Sequence, residues 1–246
     1  MITIKRILLL AGISILILSL VPMIGCMEQD PDGPARKEPA NNLTDGTVHD
    51  LPDPIRDSEF TLEEAFRQRR SVREYTDEYV SLSCLSQILW ATQGISDAQR
   101  GFRTVPSAGA LYPLNVRVIS SRVEDLPVGV YLYDPESHRL ILIDDEDRTQ
   151  EVYEAALSQN PVKQAAFNII IAADYDITAT RYGGRAERYV HLEAGHAGQN
   201  LSLQAVACGL ATVPIGAFDD DRLGELSGLS EDETPLYLFP VGHPAE

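Results

Sequence analysis

The chain has 246 residues, and its 37 acidic and 20 basic side chains give a formal net charge of −17. A surface this acidic repels nucleic acids and anionic lipid headgroups, so we expect neither as a binding partner. With 44% hydrophobic residues, the chain is long enough to bury one substantial core, and we predict one globular domain.

The beginning of the chain has the pattern of an export signal. Two basic residues precede an apolar run over residues 7–24, which is typical of a secretory signal. The run leads into Met-Ile-Gly-Cys26, which resembles the lipobox of lipoproteins, where Cys26 receives the lipid. We predict a signal over residues 1–25 and a lipid anchor that holds the protein at a membrane outside the cytoplasm. An uncleaved membrane anchor is the alternative.

The segment that follows the signal predicts no packed structure. Residues 26–54 are rich in Pro, Asp, Asn and Gly and have no apolar periodicity, which indicates a disordered acidic linker. We therefore predict that the folded domain occupies residues 55–246.

The remaining cysteines do not indicate a metal site. Cys84 and Cys208 lie in apolar helical patterns, and neither belongs to a Cys-x-x-Cys motif. We interpret them as buried free thiols, with a disulfide between them as the alternative in an exported protein. The five histidines have no ligand-like spacing to cysteine, so we predict no metal.

Periodicity and capping signals predict a mixture of helices and strands. Thr61 and Glu64 form a capping box at the start of a helix that leads into a basic segment. A face of small residues on the longest predicted helix permits the close approach of another helix. The strands do not alternate regularly with helices, so we predict the α+β class. The other predicted helices cover residues 83–92, 147–157, 184–208 and 220–226, and the predicted strands cover 115–121, 129–133, 139–143, 168–173, 211–214 and 235–241.

The first candidate site is a loop between two prolines, Pro106 and Pro113. Each proline fixes its own φ and favours an extended residue before it. The small residues between them leave the backbone accessible to a flat ligand, and an ordinary rigid loop is the alternative. The loop residues that we assign to the candidate site are Pro106, Ser107, Ala108, Gly109 and Ala110.

Two other segments are candidate contacts for a phosphorylated, planar ligand. Arg69, Arg70 and Arg73 are the densest positive charge in this acidic chain, and Ser71 adds a hydroxyl beside them. Bidentate cations with short donors suit a phosphate monoester, whereas a basic helix end is the alternative. The segment 213–218 contains Gly216, whose backbone can meet a ring system, or it is a plain turn between a strand and a helix.

Polar residues near the longest predicted helix form a further candidate group. Arg181 and Tyr182 precede this helix, and Glu193 and His196 within it have the i, i+3 spacing of a pair. Gln199 and Asn200, farther along, can orient a ligand. A polar face at a contact between two helices is the alternative.

The order of these motifs resembles the nitroreductase superfamily and, within it, the SagB/ThcOx-type dehydrogenases. The resemblance covers residues 60–244 and includes Pro-Ser-Ala-Gly-Ala-Leu-Tyr-Pro, Leu-Glu-Ala-Gly-His-Ala-x-Gln-Asn-Leu and Val-Pro-Ile-Gly-Ala-Phe. It implies an α+β fold that binds FMN, with a central, mostly antiparallel sheet flanked by helices. It also implies a homodimer with two active sites at the subunit interface.

The resemblance assigns the cofactor contacts by matching motifs. The arginine-rich segment matches the residues that bind the FMN phosphate and ribityl chain: Arg69, Arg70, Ser71 and Arg73. The proline-flanked loop matches the residues against the isoalloxazine, often contributed by the partner subunit: Pro106, Ser107, Ala108, Gly109 and Ala110. Pro214, Ile215 and Gly216 match the family residues that lie on the other side of the flavin.

The resemblance also implies the chemistry. Azole-forming members carry a Lys-Tyr pair where this chain has Arg181 and Tyr182. Arginine stays protonated and holds charge without acting as a base, which leaves Tyr182 as the proton carrier. We predict an FMN-dependent oxidoreductase that transfers hydride through flavin N5 to or from a small molecule or a peptide. A non-catalytic flavin-fold binding module at the membrane surface and flavin-consuming chemistry are the alternatives.

Overall fold

The computed structural model of the chain describes residues 47–245. Its main element is a sheet of seven strands in the order β1-β6-β5-β4-β7-β9-β8, in which all neighbouring strands are antiparallel. A separate two-stranded ribbon joins β2 and β3. The predicted α+β class with a mostly antiparallel sheet is confirmed. The strands are β1 Val48–Asp50, β2 Ile95–Asp97, β3 Phe102–Arg103, β4 Leu114–Ser120, β5 Gly129–Asp134, β6 Arg139–Asp144, β7 Phe167–Asp174, β8 Ala211–Thr212 and β9 Glu233–Gly242.

The helices that flank the sheet agree with most of the predicted positions. Thr61 caps the first helix as predicted, because its side-chain oxygen accepts a hydrogen bond from the Glu64 N–H at 3.1 Å. Glu64 does not return the bond to the cap, since its carboxylate accepts from Arg67 and Gln68. The α-helices within residues 47–245 are α1 Leu62–Gln68, α2 Leu82–Gln93, α3 Thr149–Ala155, α4 Asn160–Gln164, α5 Tyr175–Tyr182, α6 Ala186–Ala207 and α7 Asp220–Leu226.

The central strand β7 divides the core into two layers. Ile169 and Ile171 pack in the same cluster as residues of α2 and α6, whereas Ile170 packs with residues of α3 and α7. Alternate side chains of a strand point to opposite faces, so helices cover both faces of the sheet. A strand buried on both faces is continuously apolar, and this explains why β7 was predicted as buried.

The small residues of α6 allow a close contact, but with a strand as well as with helix α2. A Cβ atom on Gly198 would lie 2.6 Å from the Cζ atom of Phe239 in β9. The contact with α2 is largely apolar and includes one hydrogen bond, in which the side-chain amide of Asn200 donates to the carbonyl oxygen of Ala91 at 3.1 Å. The expected close approach of another helix is therefore confirmed, since Ala194, Ala197 and Ala205 pack in one cluster with residues of α2. Gly198 in addition brings α6 against the sheet.

The folded domain includes residues before position 55, where we predicted its start. Within the predicted linker, Val48–Asp50 form strand β1, which pairs with β6, and Leu51 is buried. The domain therefore includes these residues, and the boundary at residue 55 is corrected. The predicted signal, the lipidation site Cys26 and the linker up to residue 46 lie outside the described residues. No helix within residues 47–245 has both the length and the apolarity to cross a membrane.

Candidate functional site

The arginine-rich segment runs directly beside the short strand β8. Helix α1 ends at Gln68, and residues 69–73, here called the arginine loop, follow it. The N–H of Val72 donates to the carbonyl oxygen of Thr212 at 3.1 Å, and Ser71 forms a bridge with Thr212. Since the segment 213–217 begins where β8 ends, this pairing brings two predicted cofactor contacts together although they are far apart in sequence.

A cleft of about 600 Å³ opens between these two segments. Arg73 lines it from the arginine loop, and residues 213–217 line it from the end of β8. Asn160 and Gln164 contribute from α4. The predicted residues Pro214, Ile215 and Gly216 all lie in the wall, together with one cation, the carboxylate of Glu74 and three side-chain amides, of which Gln159 is the third.

Two contacts hold the walls of the cleft in place. The backbone of Ile215 exchanges two hydrogen bonds with Leu238 of β9, at 2.8 and 2.9 Å. The buried Tyr75 donates from its hydroxyl to the carbonyl oxygen of Val72 at 2.8 Å and approaches that of Pro240 at 3.1 Å. Next to Ile215, a Cβ atom on Gly216 would find no atom nearer than 3.8 Å, so this backbone is open to a ligand.

The predicted arginines have different local roles. Arg70 donates from Nη1 to the carbonyl oxygens of Arg67 and Arg69, at 2.9 and 2.7 Å, and thereby caps the end of α1. Within residues 47–245, no ion pair engages Arg69 or Arg73. Arg73 lines the cleft, whereas Arg69, Arg70 and Ser71 are not among its described lining residues.

The proline-flanked loop lies against Arg181 and Tyr182. Its residues Ala108–Ala110 form one turn of 3₁₀ helix, in which Gly109 has a φ of +64°. A Cβ atom on Gly109 would lie 3.0 Å from the Tyr182 hydroxyl oxygen and 3.2 Å from Arg181 Cδ. The positive φ and this close approach both favour glycine. Thus the structure brings the predicted loop and the predicted catalytic pair together, and none of these residues lines the cleft within the described chain.

Sequence reasoning assigned Arg181 and Tyr182 to a segment before the long helix and missed that they end a separate helix. They are the last two residues of α5, which begins after the cap Asp174. A 3₁₀ turn at Gly183–Arg185 then connects α5 to α6. Tyr182 also packs edge-on against Tyr189 of α6, with ring centroids 4.9 Å apart, which fixes the position of its ring.

A buried carboxyl group supports the proline-flanked loop from below. Glu193 of α6 is only 3% exposed, and its Oε1 atom has no hydrogen-bond partner among the described residues. Burial raises the pKa of Glu193 to about 7, against the opposing effects of Ser107, Arg103 and Gln93. Ser107 in turn accepts a hydrogen bond from the Tyr112 N–H at 2.9 Å, so Glu193 contacts the residue that shapes the loop.

The other polar residues of α6 have structural or exposed positions. Glu193 is buried while His196 is exposed, so the pair that we predicted from their spacing does not form. Asn200 donates to Ala91 and Thr104, in agreement with the alternative of a polar contact between elements. The spacing of residues along a helix suggests which side chains are neighbours. It does not show that Glu193 is buried, which is its distinctive property.

The comparisons with known proteins agree with this fold. A profile of the nitroreductase family matches residues 66–243. A Methanocaldococcus jannaschii protein provisionally named nitroreductase MJ1384 is 46% identical over 188 residues, which are 76% of this chain and 93% of that protein. The trifolitoxin operon protein TfxC of Rhizobium leguminosarum is 25% identical over 80% of this chain and 60% of its own length.

Solved structures that share the fold carry similar provisional names. One from Anabaena variabilis has a TM-score of 0.73 and 27% identity, covering 84% of this chain and 43% of that one. One from Ralstonia eutropha has a TM-score of 0.70 and 28% identity, covering 81% and 90%. The chain therefore belongs to the nitroreductase family, a family of flavin-dependent oxidoreductases.

Proposed function

We propose that the protein is an FMN-dependent oxidoreductase of the SagB/ThcOx type. The observation that carries the proposal is the cleft that joins the cation of Arg73 to the open backbone at Gly216. The order of the motifs and the similarity to the trifolitoxin operon protein TfxC support the subtype. We propose a small molecule or a peptide as the substrate.

The cleft provides one cation, Arg73, beside the carboxylate of Glu74, and an open stretch of backbone, and we infer that FMN places its phosphate at Arg73 and its ring at that backbone. Arg73 provides the guanidinium that a phosphate monoester prefers. Arg69 and Ser71 lie in the same arginine loop. The segment 213–217 offers bare backbone to a flat ring, and about 600 Å³ lies in the range of cofactor pockets. When bound, FMN supplies hydride transfer, and the protein supplies binding and orientation.

We propose that a homodimer completes the site. Pro106, Gly109 and Ala110 of the proline-flanked loop are exposed in the single chain, and the loop does not line its own cleft. The same loop of the partner subunit then covers the ring and excludes water, as the family resemblance implies. This arrangement brings the partner's Arg181 and the partner's Tyr182 to the ring as well.

Arg181 and Tyr182 have separate tasks in this proposal. Arg181 keeps its charge and holds an anionic part of the substrate, whereas Tyr182 carries a proton. The guanidinium carbon of Arg181 lies 5.8 Å from the centroid of the Tyr182 ring, so one substrate can contact both. Because arginine replaces the lysine of azole-forming members, we do not assign azoline oxidation to this site.

An FMN titration of three proteins tests the phosphate contact. Arg73→Ala removes the cation from the cleft, and we expect the Kd for FMN to rise roughly 10- to 100-fold, the loss typical of a charged hydrogen bond. Arg139→Ala is the matched control, because Arg139 lies on β6, near the opposite edge of the sheet from β8, and pairs there with Asp50. An unchanged Kd in Arg73→Ala would refute the assignment.

The same titration separates the enzyme from a non-catalytic module. A module that binds partners at a membrane requires no cofactor, so the wild-type protein would then stay colourless and would not bind added FMN. We expect instead saturable binding by the wild type and by Arg139→Ala.

A further inference from the structure

Two cysteines are neighbours at the junction of α2 and α6. Cys84 is the third residue of α2, and Cys208 is the residue that ends α6. The sulfur of Cys84 lies 3.9 Å from the carbonyl oxygen of Cys208, and the side-chain amide of Gln204 lies 3.7 Å from the sulfur of Cys208. Both residues are free cysteines and only partly buried.

The surroundings make the two thiols unequal. A hydrogen bond from Cys208 lowers the pKa of Cys84 to about 6, against the effect of burial, and Ser81 and the charge of His243 act in the same direction. Cys84 also lies in the first turn of a helix, where the macrodipole favours negative charge. The hydrogen bond with Cys84 and then burial raise the pKa of Cys208. The position of Cys84 at the start of a helix and the direction of its pKa shift both favour the thiolate at Cys84 over Cys208, so Cys84 is the more nucleophilic of the two.

We propose that Cys84 and Cys208 are a redox-active pair that forms a disulfide within one chain by exchange with an external disulfide compound. The Cys84 thiolate attacks one sulfur of that compound, which forms a mixed disulfide and releases the other sulfur as a thiolate. Cys208 then loses its proton and attacks the Cys84 sulfur, which releases the second thiolate. Two electrons pass from the two cysteines to the external disulfide, and the one proton that Cys208 loses goes to a released thiolate or to the solvent.

The cross-link would join α2 to the segment that leads into the cleft. Gly209, with a φ of +70°, follows Cys208 and begins the turn into β8. Pro214, in the wall of the cleft, is six residues after Cys208 in the sequence. The bond closes a loop between positions 124 residues apart, and long loops give the larger stabilisation in the chain-entropy account. We therefore expect oxidation to raise the Tm by roughly 5 °C or more.

Peptide mapping of the whole protein tests the pair. The protein is incubated with oxidised glutathione, free thiols are blocked with iodoacetamide, and the sample is digested with trypsin without reduction. Cleavage at the arginines places Cys84 in peptide 74–100 and Cys208 in peptide 189–222, each with one cysteine. We expect these peptides to be joined, with a mass about 2 Da below the sum of the two, and to separate on reduction.

Single variants test which cysteine attacks first. In Cys208→Ser, Cys84 has no resolving partner, so we expect it to accumulate as a mixed disulfide with glutathione. In Cys84→Ser, we expect Cys208 to remain a thiol that iodoacetamide blocks, with at least a tenfold slower reaction with glutathione. Three results would overturn the proposal. They are iodoacetamide labelling of both cysteines in the wild type after treatment with oxidised glutathione, a disulfide between two chains, and an equal reaction of the two variants with glutathione.

Discussion

At the scale of single residues, the structure shows how deeply each side chain is buried, which the sequence motifs do not reveal. The resemblance identified the arginine loop and the proline-flanked loop, because their residue types are distinctive. Glu193 was notable in the sequence only for its spacing to His196, since a helical pattern gives neighbours but not the depth at which a side chain is buried. Its burial, and the lack of a hydrogen-bond partner for its Oε1 atom among residues 47–245, depend on α2 and the proline-flanked loop, which the sequence of α6 alone does not encode.

We predict that Glu193 makes stability depend on pH. Its pKa is raised from an ordinary value of 4.5 to about 7 in the folded protein, so the folded state binds the proton more tightly than the unfolded state does. Its contribution is therefore most favourable below pH 4.5 and is lost as the pH rises through 7. Relative to Glu193→Gln, we expect the wild type to lose about 3 kcal/mol of unfolding free energy over this interval.

Urea unfolding of both proteins at pH 5 and pH 8 and at equal protein concentration measures this change. Glu187→Gln, an exposed position on the same helix, controls for the loss of one negative charge from α6. A difference between wild type and Glu193→Gln that is the same at both pH values would contradict the prediction.

At the scale of secondary structure elements, strong local signals predicted position well. The predicted helix at residues 220–226 agrees with α7, and the hairpin of β5 and β6 was recognised from two strand-like runs around the polar turn at residues 134–137. Helix α5 was missed because only Thr178 in it is buried, so it has no apolar periodicity. Helix α4 has five residues and strand β1 has three, which is too short for a pattern.

We predict that Gly198 is required for the packing of α6 on β9. Gly198→Ala forces a methyl group toward Phe239, because the added Cβ atom would lie 2.6 Å from the ring. We expect a loss of roughly 1–3 kcal/mol in unfolding free energy, as is typical of overpacking. Chemical denaturation measures it.

Gly224→Ala in α7 is the matched control for this substitution. A Cβ atom there meets its nearest neighbour at 3.9 Å, so the substitution changes only the helix propensity. We expect the free energy of unfolding to increase by roughly 0.5–1 kcal/mol. Equal effects of the two substitutions would show that the close contact with Phe239 does not matter.

At the scale of the whole molecule, the sequence could not predict which distant segments meet. The approach of the arginine loop to residues 213–217 depends on β8, a strand of two residues. The contact between Gly109 and Tyr182 joins the 3₁₀ turn of the proline-flanked loop to the end of α5. Strands β4 to β7 lie between these two elements in the sequence. Residue patterns report the local structure of each segment, so the expectation that they share one site came from the family resemblance.

We predict that two subunits share each site, which mixed dimers test. Arg73→Ala damages the cleft, and Gly109→Val damages the loop, because a β-branched residue is strained at a φ of +64°. Each variant alone should bind FMN weakly. If the subunits exchange at random, half of the dimers are mixed, and one of the two sites in each is intact, so about a quarter of all sites should recover.

The recovery is measured as FMN bound after the two variants are unfolded together and refolded. Each variant refolded alone is the control. No recovery in the mixture, or a monomer at micromolar concentration, would contradict a site shared between subunits.

We also propose that the protein is exported and anchored through Cys26. In cells supplied with an alkyne fatty acid, we expect the wild type to be labelled and Cys26→Ser to be unlabelled, because only a thiol at this position accepts the lipid. Labelling that persists in Cys26→Ser, or a purified wild-type protein that begins at Met1, would contradict lipidation at Cys26.

The central claim, that this member of the nitroreductase family uses FMN, is tested most directly by a visible absorption spectrum. The spectrum of the purified protein is recorded after gel filtration, before and after the addition of FMN. We expect a flavin spectrum that remains with the protein at about one FMN per chain, since a symmetric dimer has two equivalent sites. A colourless protein that does not retain added FMN would contradict the account.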